Sequence, residues 1–184
     1  MKILKRILLA IAIIIGIALI VALFTKKEYK VEREVTISKP KNEVFNYVKY
    51  LKNQNKFNVW ALADPKMRTE FKGTDGTVGF VSAWNSELDD VGQGEQTIAK
   101  IDEGNKIDYN LHFVRPMESK AYSYMTTETV NDQTTKVKWG MQSKMAYPFN
   151  LMLVIFSIDK MLGDDMQTSL NSLKNQMETT NQSL

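Results

Sequence analysis

A chain of 184 residues with 24 Lys and Arg, 21 Asp and Glu, one His and no Cys has room for one ordinary domain and an appendage. Lys2, Lys5 and Arg6 are the only charged side chains before Thr25, so the formal charge of +3 belongs to the N-terminal flank and the remainder is balanced. That balance excludes the clustered cations of a nucleic-acid binder, and the missing Cys excludes disulfides, Cys-ligated metals and thiol nucleophiles.

Ile7 to Phe24 is an apolar run of 18 residues without a charge, bracketed by Lys5-Arg6 and Lys26-Lys27. As a helix rising about 1.5 Å per residue it spans about 27 Å, close to the hydrocarbon thickness of a bilayer. Residues 1–25 are expected to be an uncleaved single-pass anchor whose partner is the lipid bilayer. A cleaved signal peptide is the alternative, but Ala22-Leu23-Phe24-Thr25 offers a bulky pair where a small-x-small site is needed. A lipoprotein is excluded for want of a Cys to acylate. Lys2, Lys5 and Arg6 favour a cytoplasmic N-terminus and a domain on the non-cytoplasmic side of the cell membrane, against the opposing pull of Lys26, Lys27, Lys30 and Arg33.

A single domain, residues 28–178, is expected to follow on a short tether, with 179–184 as a disordered tail. Tyr29, Val31, Val35 and Ile37 alternate with polar residues as in a strand with one buried face, and Arg33 is the misfit on that face. A cation there needs a partner, a polar ligand group or a place at the sheet margin, and the margin is the simpler expectation. Ser38 is expected to cap a short helix with Pro40 in its first turn and Val44, Phe45, Val48 and Leu51 as its buried stripe. A second short helix or turn should run from Asn55 to Trp60.

Six further strand-like runs follow: Met67 to Phe71, Thr77 to Trp84, Gly94 to Ile101, Lys106 to Val114, Lys120 to Val130 and Thr134 to Met145. The first gaps carry Gly with Asp or Asn, as tight turns require, and the regular spacing predicts an antiparallel meander. Ile107, Tyr109, Leu111 and Phe113 share one face, as do Val137, Trp139 and Met141. From Leu151 to Met177 apolar residues recur every three or four positions, which predicts one long helix interrupted at Gly163 by a kink or a close approach to a strand.

This order of elements resembles the helix-grip fold, an α+β architecture in which a curved antiparallel sheet wraps a long C-terminal helix. Ser38-x-Pro40-x-x-x-Val44-Phe45, Trp60 before Asp64-Pro65, Gly73-Thr-Asp-Gly-Thr-Val-Gly79 ahead of Trp84, and Gly94-Glu95 are similar to the SRPBCC, START-like or polyketide cyclase/dehydrase-like, superfamily. So are Thr135-x-Val137-x-Trp139 and Asp159-Lys-Met-Leu-Gly163 with Leu170-x-x-Leu173-Lys174. The resemblance runs from Tyr29 to Met177 and implies an apolar cavity. Trp60, Trp84, Tyr109, Leu111, Phe113, Val137, Trp139 and Met141 are its candidate ligand-contacting residues.

Within that frame the expectation is a membrane-anchored monomer binding an apolar or amphiphilic, lipid-like molecule, with no cofactor, metal or nucleic acid and without chemistry. Members that close rings carry acid-base side chains in the cavity, and no such set is matched here, so a cyclase or hydrolase is the runner-up and a protein-binding scaffold the third reading. His112 alternates with Leu111 and Phe113 and should face solvent. Glu87, Asp89 and Asp90 form an acidic turn without the ligand spacing of a calcium loop. The many Met residues suit either core filling or an adaptable cavity wall. Leu151 to Phe156 is apolar on every side and should be covered by the fold, lie at a cavity mouth or rest against the membrane.

Overall fold

The computed structural model describes residues 2–179; apart from Thr179, the expected tail lies outside them. Helix α1, Lys2–Phe24, carries the apolar run and is exposed along almost its whole length, with Ala22 its one buried residue. It is long and apolar enough to cross a membrane.

The alternating segments pair as one seven-stranded antiparallel sheet. Its strands are β1 (Glu28–Ile37), β2 (Arg68–Lys72), β3 (Val81–Asn85), β4 (Gln93–Asp102), β5 (Lys106–Arg115), β6 (Ser119–Asn131) and β7 (Thr134–Lys144). Their order is β1-β7-β6-β5-β4-β3-β2: a meander from β2 to β7, with β1 closing on its far edge. Between β1 and β2 lie α2 (Lys41–Val48), α3 (Leu51–Gln54) and α4 (Val59–Ala63). After β7 come a 3-10 turn (Phe149–Leu151), α5 (Met152–Ile155) and α6 (Ile158–Thr179).

Register partners share a face in an antiparallel ladder, so the apolar sets line up in rows across the sheet. One row runs Val35, Val137, Thr127; the next Arg33, Trp139, Met125, Ile107, Ile101; then Val31, Met141, Ser123, Tyr109, Ile98; then Tyr29, Ser143, Ala121, Leu111, Gln96, Ser82, Phe71. Helix α6 lies along β1 and buries Gly163, Met166, Ser169, Leu170 and Leu173. Val44, Phe45 and Val48 of α2 join the same core from the direction of β6 and β7.

Three local expectations are corrected. Ser38 does not cap α2: the helix begins at Lys41, the Glu43 amide is taken by Asn42 Oδ1 at 2.9 Å, and Ser38 lies too far upstream to reach it. The Ser38 amide donates instead to Glu178 Oε1 at 2.6 Å. The single short helix or turn expected from Asn55 to Trp60 is a turn that joins two helices, α3 before it and α4 after; Asp75 accepts from the amides of Leu51 and Lys52 at the start of α3, at 2.9 and 3.1 Å. The C-terminal helix is broken at Phe156, which is extended (φ −113°, ψ 138°), and Ser157 Oγ accepts from the Lys160 amide to start α6 afresh. Gly163 is not the break. A Cβ there would overlap the Arg33 guanidinium, so it is the close approach to a strand.

Candidate functional site: the open end of the groove

The concave face changes character along its length. Where β1 ends, Ile37, Val137, Phe45, Val48, Leu170 and Leu173 are all within 2% of full burial under α2 and the C-terminal half of α6. Where β1 begins, Tyr29, Leu111 and Phe113 pack against the same core but are only half buried, and Trp84 beside them is also half buried. This half-buried end is the candidate site.

Aromatic contacts shape it. Trp84 stands edge-on to Phe113 with ring centroids 5.8 Å apart, and its indole N–H donates to the Val91 carbonyl at 3.2 Å. The Trp84 ring lies across Gly94, where a Cβ would come within 2.6 Å of it, so the glycine admits the indole. Trp60 meets Trp139 edge-on at 6.2 Å. Its helix is held by Asn58 Oδ1, which accepts from the Trp60 amide at 3.0 Å, and by Ser169 Oγ of α6, which accepts from the Val59 amide at 3.0 Å. Ser86 Oγ donates to Asp64 at 2.5 Å and ties the β3–β4 loop to the end of α4.

Of the candidate ligand-contacting residues, Leu111, Phe113 and Trp84 are at the half-buried end, Trp60 is half buried against Trp139, Met141 lies in the next row at the margin of burial, and Tyr109 and Val137 are sealed in the core. Polar groups converge at the floor. Gln54 Nε2 donates to the Tyr109 hydroxyl at 3.2 Å, and Gln54 Oε1 accepts from Gln96 Nε2 at 3.3 Å. Burial pushes the Tyr109 phenol far above its usual range, so it is a neutral hydrogen-bonding group. Trp139 Nε1 donates to Ser123 Oγ at 2.9 Å, which donates onward to the Gly140 carbonyl.

Arg33 does lie on the outermost strand, and it also has a partner. Its guanidinium makes a forked pair with Asp159, 3.0 and 3.1 Å to the two carboxylate oxygens, and donates to the Asp159 carbonyl at 2.7 Å. The pair holds the Asp159 carboxyl below its ordinary range. Farther along α6, burial and the nearby Asp164 and Asp90 carboxylates raise Asp165.

Titratable clusters lie on the opposite, outer face. The Tyr122 hydroxyl donates to Asp108, Lys106 Nζ sits 2.8 Å from the same carboxylate, and Tyr124 donates to Glu32. Hydrogen bonds from Lys106 and Tyr122 outweigh desolvation in holding Asp108 low, and Asp108 holds Lys106 high. His112 also faces outward, 3.4 Å from Glu118. Two open clefts mark this side, about 260 Å³ beside Glu70, Glu95 and His112 and about 680 Å³ beside Lys30, Tyr122 and Lys144. Glu87 of the acidic turn pairs with Arg68 at 3.8 Å. Among the described residues no three His, Asp or Glu side chains come together as metal ligands would.

Sequence reasoning missed Gln54, Asp75 and Asn150. Each acts on a backbone or side-chain group distant in the chain, so no local spacing announces it.

No protein-family model matches this chain, and no curated protein matches it by sequence. Solved structures do. Norcoclaurine synthase from Thalictrum flavum, in complex with dopamine and hydroxybenzaldehyde, superposes with a TM-score of 0.63 at 7% identity over 90% of this chain and 94% of its own. The di-domain ARO/CYC StfQ of the steffimycin biosynthetic pathway gives 0.61 at 8% identity, covering 84% of this chain and 52% of that one. Ara h 8.0201 gives 0.54 at 16% identity over 83% of this chain and 99% of its own. With its meander, three intervening short helices and long closing helix, the chain has the helix-grip fold.

Proposed function

We propose that this chain is a membrane-anchored monomer that takes an apolar or amphiphilic, lipid-like molecule into the open end of its groove and does no chemistry on it. The carrying observation is the gradient of burial along one face: the rows beneath α2 are sealed, whereas the rows of Leu111, Phe113 and Trp84 are left half exposed. Apolar surface left facing a concavity is where a hydrophobic guest gains most. Removing about 200 Å² of such surface from water contributes about 5 kcal/mol before the costs of association. The Gln96, Gln54 and Tyr109 chain at the floor suits the polar end of an amphiphile. The carboxylates with partnered tyrosines lie on the outer face of the sheet, which disfavours acid-base catalysis in the groove.

The exposure of α1 separates it from the buried core helices of soluble proteins and supports its reading as a single-pass anchor. The basic N-terminal flank favours a domain on the non-cytoplasmic side. Native mass spectrometry of the full chain released from mild detergent tests the reading. A retained noncovalent mass of lipid character is expected. A bare chain that also fails to retain an added long-chain fatty acid would overturn it.

A further inference from the structure

We propose that the uncharged segment Tyr147–Phe156 is a second membrane contact, clamped to the end of α1, which sets the open end of the groove against the bilayer surface. The inference rests on the anchor reading of α1 and not on the groove being occupied.

From Met145 to Phe156 the chain carries no charged side chain. Phe149, Val154, Ile155 and Phe156 are 54%, 62%, 64% and 44% exposed. Elsewhere in the domain exposed apolar residues such as Val78 and Val130 are scattered singly, which is ordinary; a contiguous run is not.

The position of this run identifies what covers it. The Met145 amide donates to the Lys27 carbonyl at 2.8 Å, beside the start of β1. Asn150, fully buried, donates from Nδ2 to the Ala22 carbonyl at 2.7 Å and the Thr25 carbonyl at 3.1 Å. Thr25 Oγ1 donates to the Val21 carbonyl at 2.9 Å. The last carbonyls of a helix lack intrahelical partners, and at a membrane boundary the protein must supply them. Asn150 does so, which explains a lone amide in an apolar run. It also fixes the domain's pose relative to α1.

Phe156 lies six positions beyond Asn150, a span on the order of 10 Å and comparable with the headgroup layer of about 5 to 8 Å on each side of a bilayer. The exposed side chains therefore reach the same interface that receives the end of α1. Lys26 and Lys27 next to α1, and the exposed Lys120 at this end of the sheet, suit anionic headgroups, whereas Lys30 and Lys144 are paired with Glu32 and Glu28. The occupant is the bilayer that holds α1.

The chain contains no Cys, so single nitroxide labels can be placed cleanly. The full chain, labelled in turn at Ile13→Cys, Ile155→Cys and Asp132→Cys, is reconstituted into phosphatidylcholine/phosphatidylglycerol vesicles, and collision with oxygen and with a water-soluble nickel chelate is measured. The labels at 13 and 155 should favour oxygen, and the label at 132, in the β6–β7 turn at the opposite end of the sheet, should favour nickel. A label at 155 as nickel-accessible as that at 132, with 13 still shielded, overturns the inference and leaves the anchor intact. Nickel access at 13 overturns both. Asn150→Ala should raise nickel access at 155 several-fold with near-ultraviolet circular dichroism unchanged; unchanged access overturns the clamp.

Discussion

At the end of the sheet where β1 finishes, Ile37 and Val137 meet α2 and the last turns of α6 and are fully buried; where β1 begins, Tyr29, Leu111, Phe113 and Trp84, on the same face, are half exposed. The side chains are of the same kinds and the strands are continuous. The difference lies in the cover. Helix α2 folds over one end and α3 reaches Tyr109 and Gln96 between the two, whereas the other end has the N-terminal half of α6 with its Arg33–Asp159 fork, and α4 tied to Ser169. A curved sheet thus has one end that behaves as an ordinary core and one that can serve as a site, and the choice is made by three short helices rather than by the strands.

The contrast can be broken most severely at the sealed end. Phe45→Ala should cost about 3–5 kcal/mol, since a fully buried ring leaves a cavity, whereas Phe113→Ala at the open end should cost well under half of that. Thermal unfolding of the full chain in detergent micelles, followed by near-ultraviolet circular dichroism, measures both; equal losses would erase the distinction. At the floor between the two ends, Gln54→Leu leaves the buried Tyr109 hydroxyl without its donor and should cost about 1–3 kcal/mol.

Gly163 sharpens the comparison on the helix side. Gly163→Ala adds a Cβ where the Arg33 guanidinium sits, so it should lower stability by displacing the Asp159 fork, although Ala is intrinsically the better helix former by about 1 kcal/mol. In an Arg33→Ala background the same change should become stabilising by about that amount. A double-mutant cycle reads the reversal of sign.

The smallest effects come from the two α6 carboxylates, which respond oppositely to pH. Asp159 has a lowered folded-state pKa, so its contribution is present at neutral pH and is lost as pH falls through that value, below about pH 4. Asp165 has a raised one, so its ionised form is the destabilising one and the folded state gains as pH falls. Asp165→Asn should therefore raise stability slightly at pH 7, by less than about 0.5 kcal/mol because solvent screens this mostly exposed site, with the gain vanishing below the unfolded pKa near pH 4.

Much of this architecture is legible in the sequence because period and turn chemistry are local. The alternation of Tyr29, Val31, Val35 and Ile37, and of Ile107 to Phe113, places every strand within a few residues, and the steps from Ile158 to Met177 place α6. Arg33 stands out as a cation on an apolar face, and Gly163 as either a kink or a close approach; that they explain one another requires the register of α6 on β1. The break at Phe156 is hidden because the apolar stripe continues through it, while Ser157 can restart a helix. Asn150 is silent for the same reason: its role is defined by carbonyls of Ala22 and Thr25, more than a hundred residues away. The division between sealed and open ends is also invisible, since Leu111 and Val137 obey the same alternation and differ only in what folds over them.

That pair provides the most direct test. The full chain in vesicles is photolysed with a diazirine-bearing fatty acid, crosslinks are mapped by mass spectrometry, and the yield per folded molecule is compared among wild type, Leu111→Trp and Val137→Trp. The account predicts crosslinks around Trp84 and Phe113 in the wild type. Leu111→Trp should lose them several-fold while melting within a few degrees of wild type. Val137→Trp, forced into a close-packed site, should lose about 1–3 kcal/mol of stability with its yield unchanged. Crosslinks confined to α1, or an undiminished yield in Leu111→Trp, would contradict a binding site at the open end of the groove.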